Sequence, residues 1–245
     1  MTRRFYKEAV TSPAERDFWE VRLDGKGVKT PMGKPLRTSS RSIADRIRDE
    51  WTAQGDEIRP ETMPITRLLG VSLERADTRD ELISDIRAYA ATDYLSYRAD
   101  TQGPSGQEEF ARRQADALDP VLEWAAGHGM PLRTTVGIVA IEQDPLSLDR
   151  LAEHARLYDD LPLTLFAHLT ATFGSAVLAL AVMQGHLEAG EAFDLSQLDE
   201  LYREETWGAD EDASARAALI RDDTVAMCSM LPDLAVPSLD TQESL

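Results

Sequence analysis

LPLTLFAHLTATFGSAVLALAVM, running from Leu161 to Met183, decides how this chain folds. The run holds nearly enough apolar residues to cross a bilayer, where about 20 are needed. Its details argue against a span. It holds His168, three threonines, Ser175 and a central glycine, and no Lys or Arg flanks it. A helix apolar on almost every side is also what the centre of a large helical domain looks like. The expectation is one buried core helix with other helices packed around it, and no stable membrane insertion.

Helical periodicity extends outward in both directions. Upstream, Ser39 or Ser40 caps a helix whose stripe is Ile43, Ile47 and Trp51, ending near Gly55. PETMPITRLLGVSLE supplies Ile65, Leu68, Leu69 and Leu73, and Thr78 to Glu81 reads as a capping box before Leu82, Ile83, Ile86 and Tyr89. A long segment from about Glu108 to Ala126 is helical, with Asp119-Pro120 either kinking it or opening a new helix. Asp144-Pro145 opens another, with Leu148, Leu151, Ala155 and Tyr158 inward. Downstream, one helix is expected from about Glu188 to Thr206. Asp210 then caps a last helix that carries Ala215, Ala218, Leu219, Val225, Cys228 and Met230 and stops at Pro232.

Two regions break this pattern. DYLSYR and the β-branched part of GHGMPLRTTVGIVAIEQ read as short extended pieces that pair with each other. Near the start, FWEVRLDGKGVKTPMGKPLRT alternates Trp19, Val21 and Leu23 with charged neighbours, then turns at Asp24-Gly25 and again around Pro31–Gly33. The fold class is therefore α+β. A small N-terminal β-rich domain with one helix occupies residues 1–60, a larger mainly helical domain 61–232, and a loose tail 233–245.

Composition narrows the function classes. The chain has 245 residues, 42% hydrophobic and 29% charged, which is too apolar for disorder. A net charge of −18 argues against nucleic acid or anionic lipid as a partner. The lone cysteine, Cys228, sits in the apolar run TVAMCSML and reads as a small buried thiol. MTRRFYKEAV has no apolar segment behind its arginines, so a secretory signal is not expected and the bacterial cytoplasm is.

Motifs for catalysis are missing. DGKGVKT lacks the ending of a phosphate loop, GPSGQ resembles a nucleophile elbow only superficially, and DEDASARAALIRDD lacks the glycine of a calcium loop. The four histidines have no zinc-binding spacing, and His168 is the one in unusual surroundings. No cofactor and no metal are expected. What remains is LYREETWGADED, Leu201 to Asp212, with Trp207 and Gly208 among carboxylates. Glu200 and Glu204 lie four apart on one helix face, yet nothing apolar encloses them as an acid/base dyad requires. Asp210, Glu211 and Asp212 suit the start of the next helix. Trp207 is either a core plug or an exposed anchor for a partner offering arginine or lysine.

Several stretches taken together resemble the Atp12-type chaperones, which assemble the soluble head of F-type ATP synthase by holding its α subunit. They are RRFYKEA, LDGKGVKTP, IRDEWTAQGDEIRPETMPITRL, YAATDYLSYRA, RRQADALDPVLEWA, LTATFGSAVLALAV and DELYREETWGADEDA, in order over about residues 3–230. The resemblance implies a β domain followed by a helical domain, and binding in place of catalysis. The unassembled α subunit of ATP synthase would be the partner, its apolar subunit interface covered until assembly. The family's Glu-x-Trp-Gly pattern falls on Glu205, Thr206, Trp207 and Gly208, with Thr206 departing from the usual glutamine. Its MPxTRL pattern falls on Met63, Pro64, Thr66, Arg67 and Leu68, while LGVSLE after it departs. Partner-binding residues are then expected at Glu205 and Trp207, supported by Glu204, Gly208 and Asp210, on a monomeric chain. The rivals are a small hydrolase or lyase using buried carboxylates and His168, and a general holdase without a fixed client.

Overall fold

The computed structural model describes residues 2–101 and 107–239 of the chain. Gly103–Gly106 of the GPSGQ stretch and residues 240–245 of the tail lie outside them. The strands are short and cluster early: β1 (Thr2–Arg3), β2 (Ala9–Pro13), β3 (Trp19–Leu23), β4 (Lys26–Gly27), β5 (Arg37–Thr38) and β6 (Glu57–Ile58). Strand β3 is the hub. It pairs antiparallel with β2 (Thr11 opposite Val21), with β4 across the Asp24-Gly25 turn, and with β5 at its start. Asp24 and Gly25 both have positive φ, at 46° and 81°, which is what a tight two-residue hairpin demands. The alternation does bury Val21 and Leu23. Glu20 is buried on the other face, where it can lie only because Arg22 and Arg37 pair with its carboxylate at 2.9 and 3.0 Å.

Helix α1 (Arg41–Thr52) packs on β2 and β3. Ser40 is its cap, accepting from the Ile43 amide, and Ile43 and Ile47 are buried. At its end Trp51 packs edge-on against Tyr6, and the Tyr6 hydroxyl donates to the Trp51 carbonyl at 2.7 Å. Glu50 links this β-rich part to the helices. Its carboxylate accepts from the amides of Ile65 and Thr66 at 2.7 and 2.8 Å and from the Thr66 hydroxyl at 2.6 Å. That caps α2 (Pro64–Glu74) from outside, using the positive end of the helix.

The remaining elements are α3 (Arg79–Ala91), β7 (Tyr97–Arg98), α4 (Glu108–Gly127), β8 (Thr135–Val136), α5 (Pro145–Arg156), α6 (Asp160–Phe173), α7 (Ala176–Met183), α8 (Ala189–Ser196), α9 (Leu198–Trp207) and α10 (Glu211–Cys228). Every residue of α7 is buried, and α6 packs on α2, α3 and α7. One apolar cluster joins Tyr6 and Val21 in the β-rich part to Phe166, Leu178 and Met230 in the helical part.

Several expectations change at this level. The run Leu161–Met183 is two helices: Gly174 takes a left-handed conformation at φ 62° and Ser175 caps α7 through the Leu178 amide at 2.9 Å. Phe-Gly-Ser is a C-terminal glycine followed by an N-cap serine, a stop and a start side by side. The helix expected over 188–206 likewise divides at Gln197. The capping box does not form; the Thr78 hydroxyl donates back to the Arg75 carbonyl at 3.1 Å, and Tyr89 is exposed. On α10 the stripe Ala215, Ala218 and Leu219 faces solvent, with Leu219 69% exposed, and Val225 is exposed too. Apolar and charged residues are spread around that helix with no distinct apolar face, so its orientation is set by charge: Arg221 grips Asp194 of α8 in two bonds at 2.8 and 3.0 Å, and Asp223 pairs with Arg67 of α2. The β-branched stretch after Met130 contributes only the two residues of β8, paired in parallel with β7 (Tyr97 opposite Thr135). Beyond the last helix, residues 234–239 lie against α7, where Gln184 donates to the Pro237 carbonyl at 2.9 Å and accepts from the Leu239 amide at 3.1 Å.

Candidate functional site

The α9–α10 corner carries the acidic-aromatic stretch. Helix α9 is held on α4 by a stack of Tyr202 on Phe110, with ring centroids 4.4 Å apart and planes 19° apart. Arg113, one turn beyond Phe110 on α4, lies 5.4 Å from the Tyr202 ring. It also pairs with Glu205 at 2.5 Å and Glu109 at 3.0 Å, and these two carboxylates hold its guanidinium above the usual arginine range. At the other end of α9, Asp199 accepts from the Tyr94 hydroxyl at 3.1 Å and from Gln114 at 3.2 Å. Burial and the Asp199 carboxylate both push the Tyr94 phenol up.

The corner itself is built from backbone requirements. Gly208 sits at φ 96°, ψ 149°, a region essentially confined to glycine, and its amide closes the last turn on the Glu204 carbonyl at 2.9 Å. No atom crowds the place of an added Cβ, so glycine is required there for conformation and not for space. Asp210 then accepts from the amides of Asp212 and Ala213 at 3.0 and 3.2 Å, starting α10. The Ser214 hydroxyl donates to Glu204 at 2.7 Å and ties the two helices together.

The five expected residues thus meet in one place but have different tasks. Glu204, Gly208 and Asp210 form the turn, and Glu205 is committed to Arg113. Trp207 is 71% exposed, which excludes the core plug and leaves a solvent-facing indole at the corner. Glu211 and Asp212 stand beside it without basic partners among the described residues. Glu200 pairs with Arg203 at 3.1 Å and faces solvent, so no enclosed carboxylate pair exists at this corner.

His168 is elsewhere. It is half-buried and lines a groove of about 360 Å³ between α2, α3, α6 and α10, together with Arg67, Val71, Asp85 and Tyr89. Burial, then Arg67, lowers its pKa, while Asp223 opposes them. Among the described residues no three His, Cys, Asp or Glu side chains converge as metal ligands would. No helix in the described residues is long and apolar enough to cross a membrane.

Several features are not visible from sequence pattern. Asp93 is fully buried and accepts from the Leu95 and Val177 amides at 3.0 and 3.2 Å, bracing the break between α6 and α7. Burial pushes its carboxyl up to about 6. His154 is buried beside Tyr158 and Gln184, at 3.1 and 3.2 Å from its Nε2, and burial lowers it to about 4. The i, i+4 spacing of His154 and Tyr158 across the end of α5 is readable, but their partner Gln184, just after α7, is not. Apolar side chains are also exposed at Val136, Ile138, Val139 and Leu146.

Known proteins give the corner its context. The family described as ATP12 chaperone protein matches residues 3–126. Atp12 from Paracoccus denitrificans is 35% identical, with a TM-score of 0.84 over 94% of this chain and 97% of its own. The Atu1473 protein from Agrobacterium tumefaciens is 34% identical, with a TM-score of 0.87 over 94% of this chain and 85% of its own. The mitochondrial protein atp12 of Schizosaccharomyces pombe is 24% identical over 86% of this chain and 75% of its own length. A chain with a small antiparallel sheet, a buried α6–α7 pair and an exposed indole at an acidic corner, matched over nearly its whole length by these proteins, belongs to the ATP12 chaperone family and is a chaperone, not an enzyme.

Proposed function

We propose that this protein is an assembly chaperone of F-type ATP synthase that binds the unassembled α subunit and covers the apolar face it later presents to its neighbour. An uncovered face of that kind is an aggregation hazard. The observation that carries the reading is Trp207, a large aromatic side chain 71% exposed in a member of a chaperone family. Trp residues of this kind dominate interface energetics, and carboxylates at Glu211 and Asp212, without basic partners among the described residues, favour a partner with basic side chains around an apolar centre. Glu205, held by Arg113, fixes the helix end on which the indole sits, and Glu204, Gly208 and Asp210 hold the corner open. The protein acts as a monomer in the bacterial cytoplasm, and release comes when the proper neighbouring subunit competes for the same face.

The hydrolase alternative has His168 and Asp85 on one groove. The family assignment to a chaperone stands against it. A general holdase is separated by selectivity. The test is capture of isolated α subunit against isolated β subunit by the purified chain. Trp207→Ala is expected to weaken α capture by about 2 kcal/mol or more, roughly thirtyfold, with no change in melting temperature. Equal capture of α and β, or an unaffected Trp207→Ala variant, rejects the proposal.

A further inference from the structure

Strand β8, two residues long, has an uncovered edge, and irregular chain follows it. β8 pairs with β7 on one side, and no strand lies on its other side among the described residues. The Gly137 amide still donates to the Arg98 carbonyl at 2.8 Å, and the chain bends at Gly137, whose φ is 78°. Beyond it, no main-chain amide from Ile138 to Ile141 donates a hydrogen bond among the described residues. Two β-branched side chains there are exposed, Ile138 at 96% and Val139 at 73%, and Val136 is exposed beside them.

This stretch is displayed on a rigid stem. Gln143, buried, accepts from the Arg133 amide at 2.8 Å and donates to the Arg133 carbonyl at 3.0 Å and to Ser96 at 3.1 Å, so both ends of the loop are pinned. Proteins ordinarily protect such an edge with lysine, proline or an inward charge. Here Thr134 to Ile141 carries no charged side chain at all, in a chain of net charge −18.

We infer that the β8 edge is a second client-binding surface, one that takes an extended, uncharged segment of a non-native chain by strand addition. Main-chain hydrogen bonds supply the affinity in that mode, and alternate side chains supply the selectivity. Charge chooses the occupant. A basic segment is drawn to the acidic corner at Trp207, whereas the neutral edge offers a charged segment nothing and costs it hydration. An uncharged, β-branched segment matches the edge in both backbone and side chains.

The test is fluorescence anisotropy of a labelled peptide alternating threonine and valine, titrated with the full-length protein. Saturable binding is expected, weakened about tenfold or more by Ile138→Lys and by N-methylation of the peptide amides along one edge. Met32→Lys, at a similarly exposed apolar residue in the N-terminal turn, leaves binding unchanged, and all variants melt with the parent. Absence of saturable binding overturns the inference. So does equal binding by Ile138→Lys, or a dimer of this chain that Ile138→Lys disperses. No ATP synthase subunit enters the experiment, so its result stands apart from the α-subunit reading.

Discussion

Replacing Gly174 by alanine tests the central packing of the molecule by the sign of its effect. Gly174 ends α6 at φ 62°, ψ 19°, and its carbonyl accepts from the Tyr94 amide at 3.0 Å. An added Cβ meets only the Tyr94 Cβ, at an ordinary 3.9 Å, so crowding contributes nothing. The cost is conformational. A non-glycine residue in the left-handed region pays about 1–2 kcal/mol, offset by about 0.4–1 kcal/mol from a stiffer unfolded chain. The net expectation is a loss of about 1 kcal/mol, or about 2–4 °C in melting temperature for a chain of this size. Were Leu161–Met183 one continuous helix, the same change would gain about 1 kcal/mol from helix propensity. The two geometries differ by about 2 kcal/mol in the same measurement. Urea unfolding followed by circular dichroism reads it, with Gly174→Asn as a milder companion because asparagine tolerates that conformation. A stabilised Gly174→Ala protein refutes the break and everything built around Ser175 and Asp93.

Other expectations concern buried groups. Asp93 has a folded pKa of about 6, raised by burial above its ordinary value, so the folded state holds its proton more tightly and this group's contribution declines as pH rises from about 4 to about 6. Asp93→Ala is destabilised at pH 4 by loss of the acceptor for two buried amides, and the deficit narrows by on the order of 3 kcal/mol towards pH 7; a deficit that widens with pH contradicts this. His154 has the opposite sign. Its folded pKa is lowered to about 4, so stability is lost as pH falls from about 6.5 towards 4, and His154→Gln gains on the parent by about 3 kcal/mol over that window. A pH-independent difference between the two proteins excludes a neutral buried imidazole. Burial pushes the Cys228 thiol up to about 12, so a thiol reagent leaves the native protein untouched and titrates one thiol in denaturant. Reaction at the native rate of a free thiol counts against the packing of α10.

How much was legible in the chain depends on the range over which each signal acts. The α+β class, most helix starts and the Asp24-Gly25 hairpin follow from local chemistry, because a cap such as Ser40, Asp144 or Asp210 acts on amides only two or three residues away. Phe173-Gly174-Ser175 held the same kind of signal, masked by the apolar run around it. The acidic corner was legible as a cluster, since Glu204, Gly208 and Asp210 are close in sequence. Its exposure was not. Trp207 faces solvent because Tyr202 stacks on Phe110 and Glu205 reaches Arg113, partners about ninety residues upstream. Leu219 points outward because Arg221 and Asp223 find their charges on α8 and α2, and Ile138 stands free because Gln143 pins the stem beneath it. Element type is written in periods of two and 3.6 residues. Which face of an element is covered depends on neighbours distant in sequence, and only packing in three dimensions supplies them.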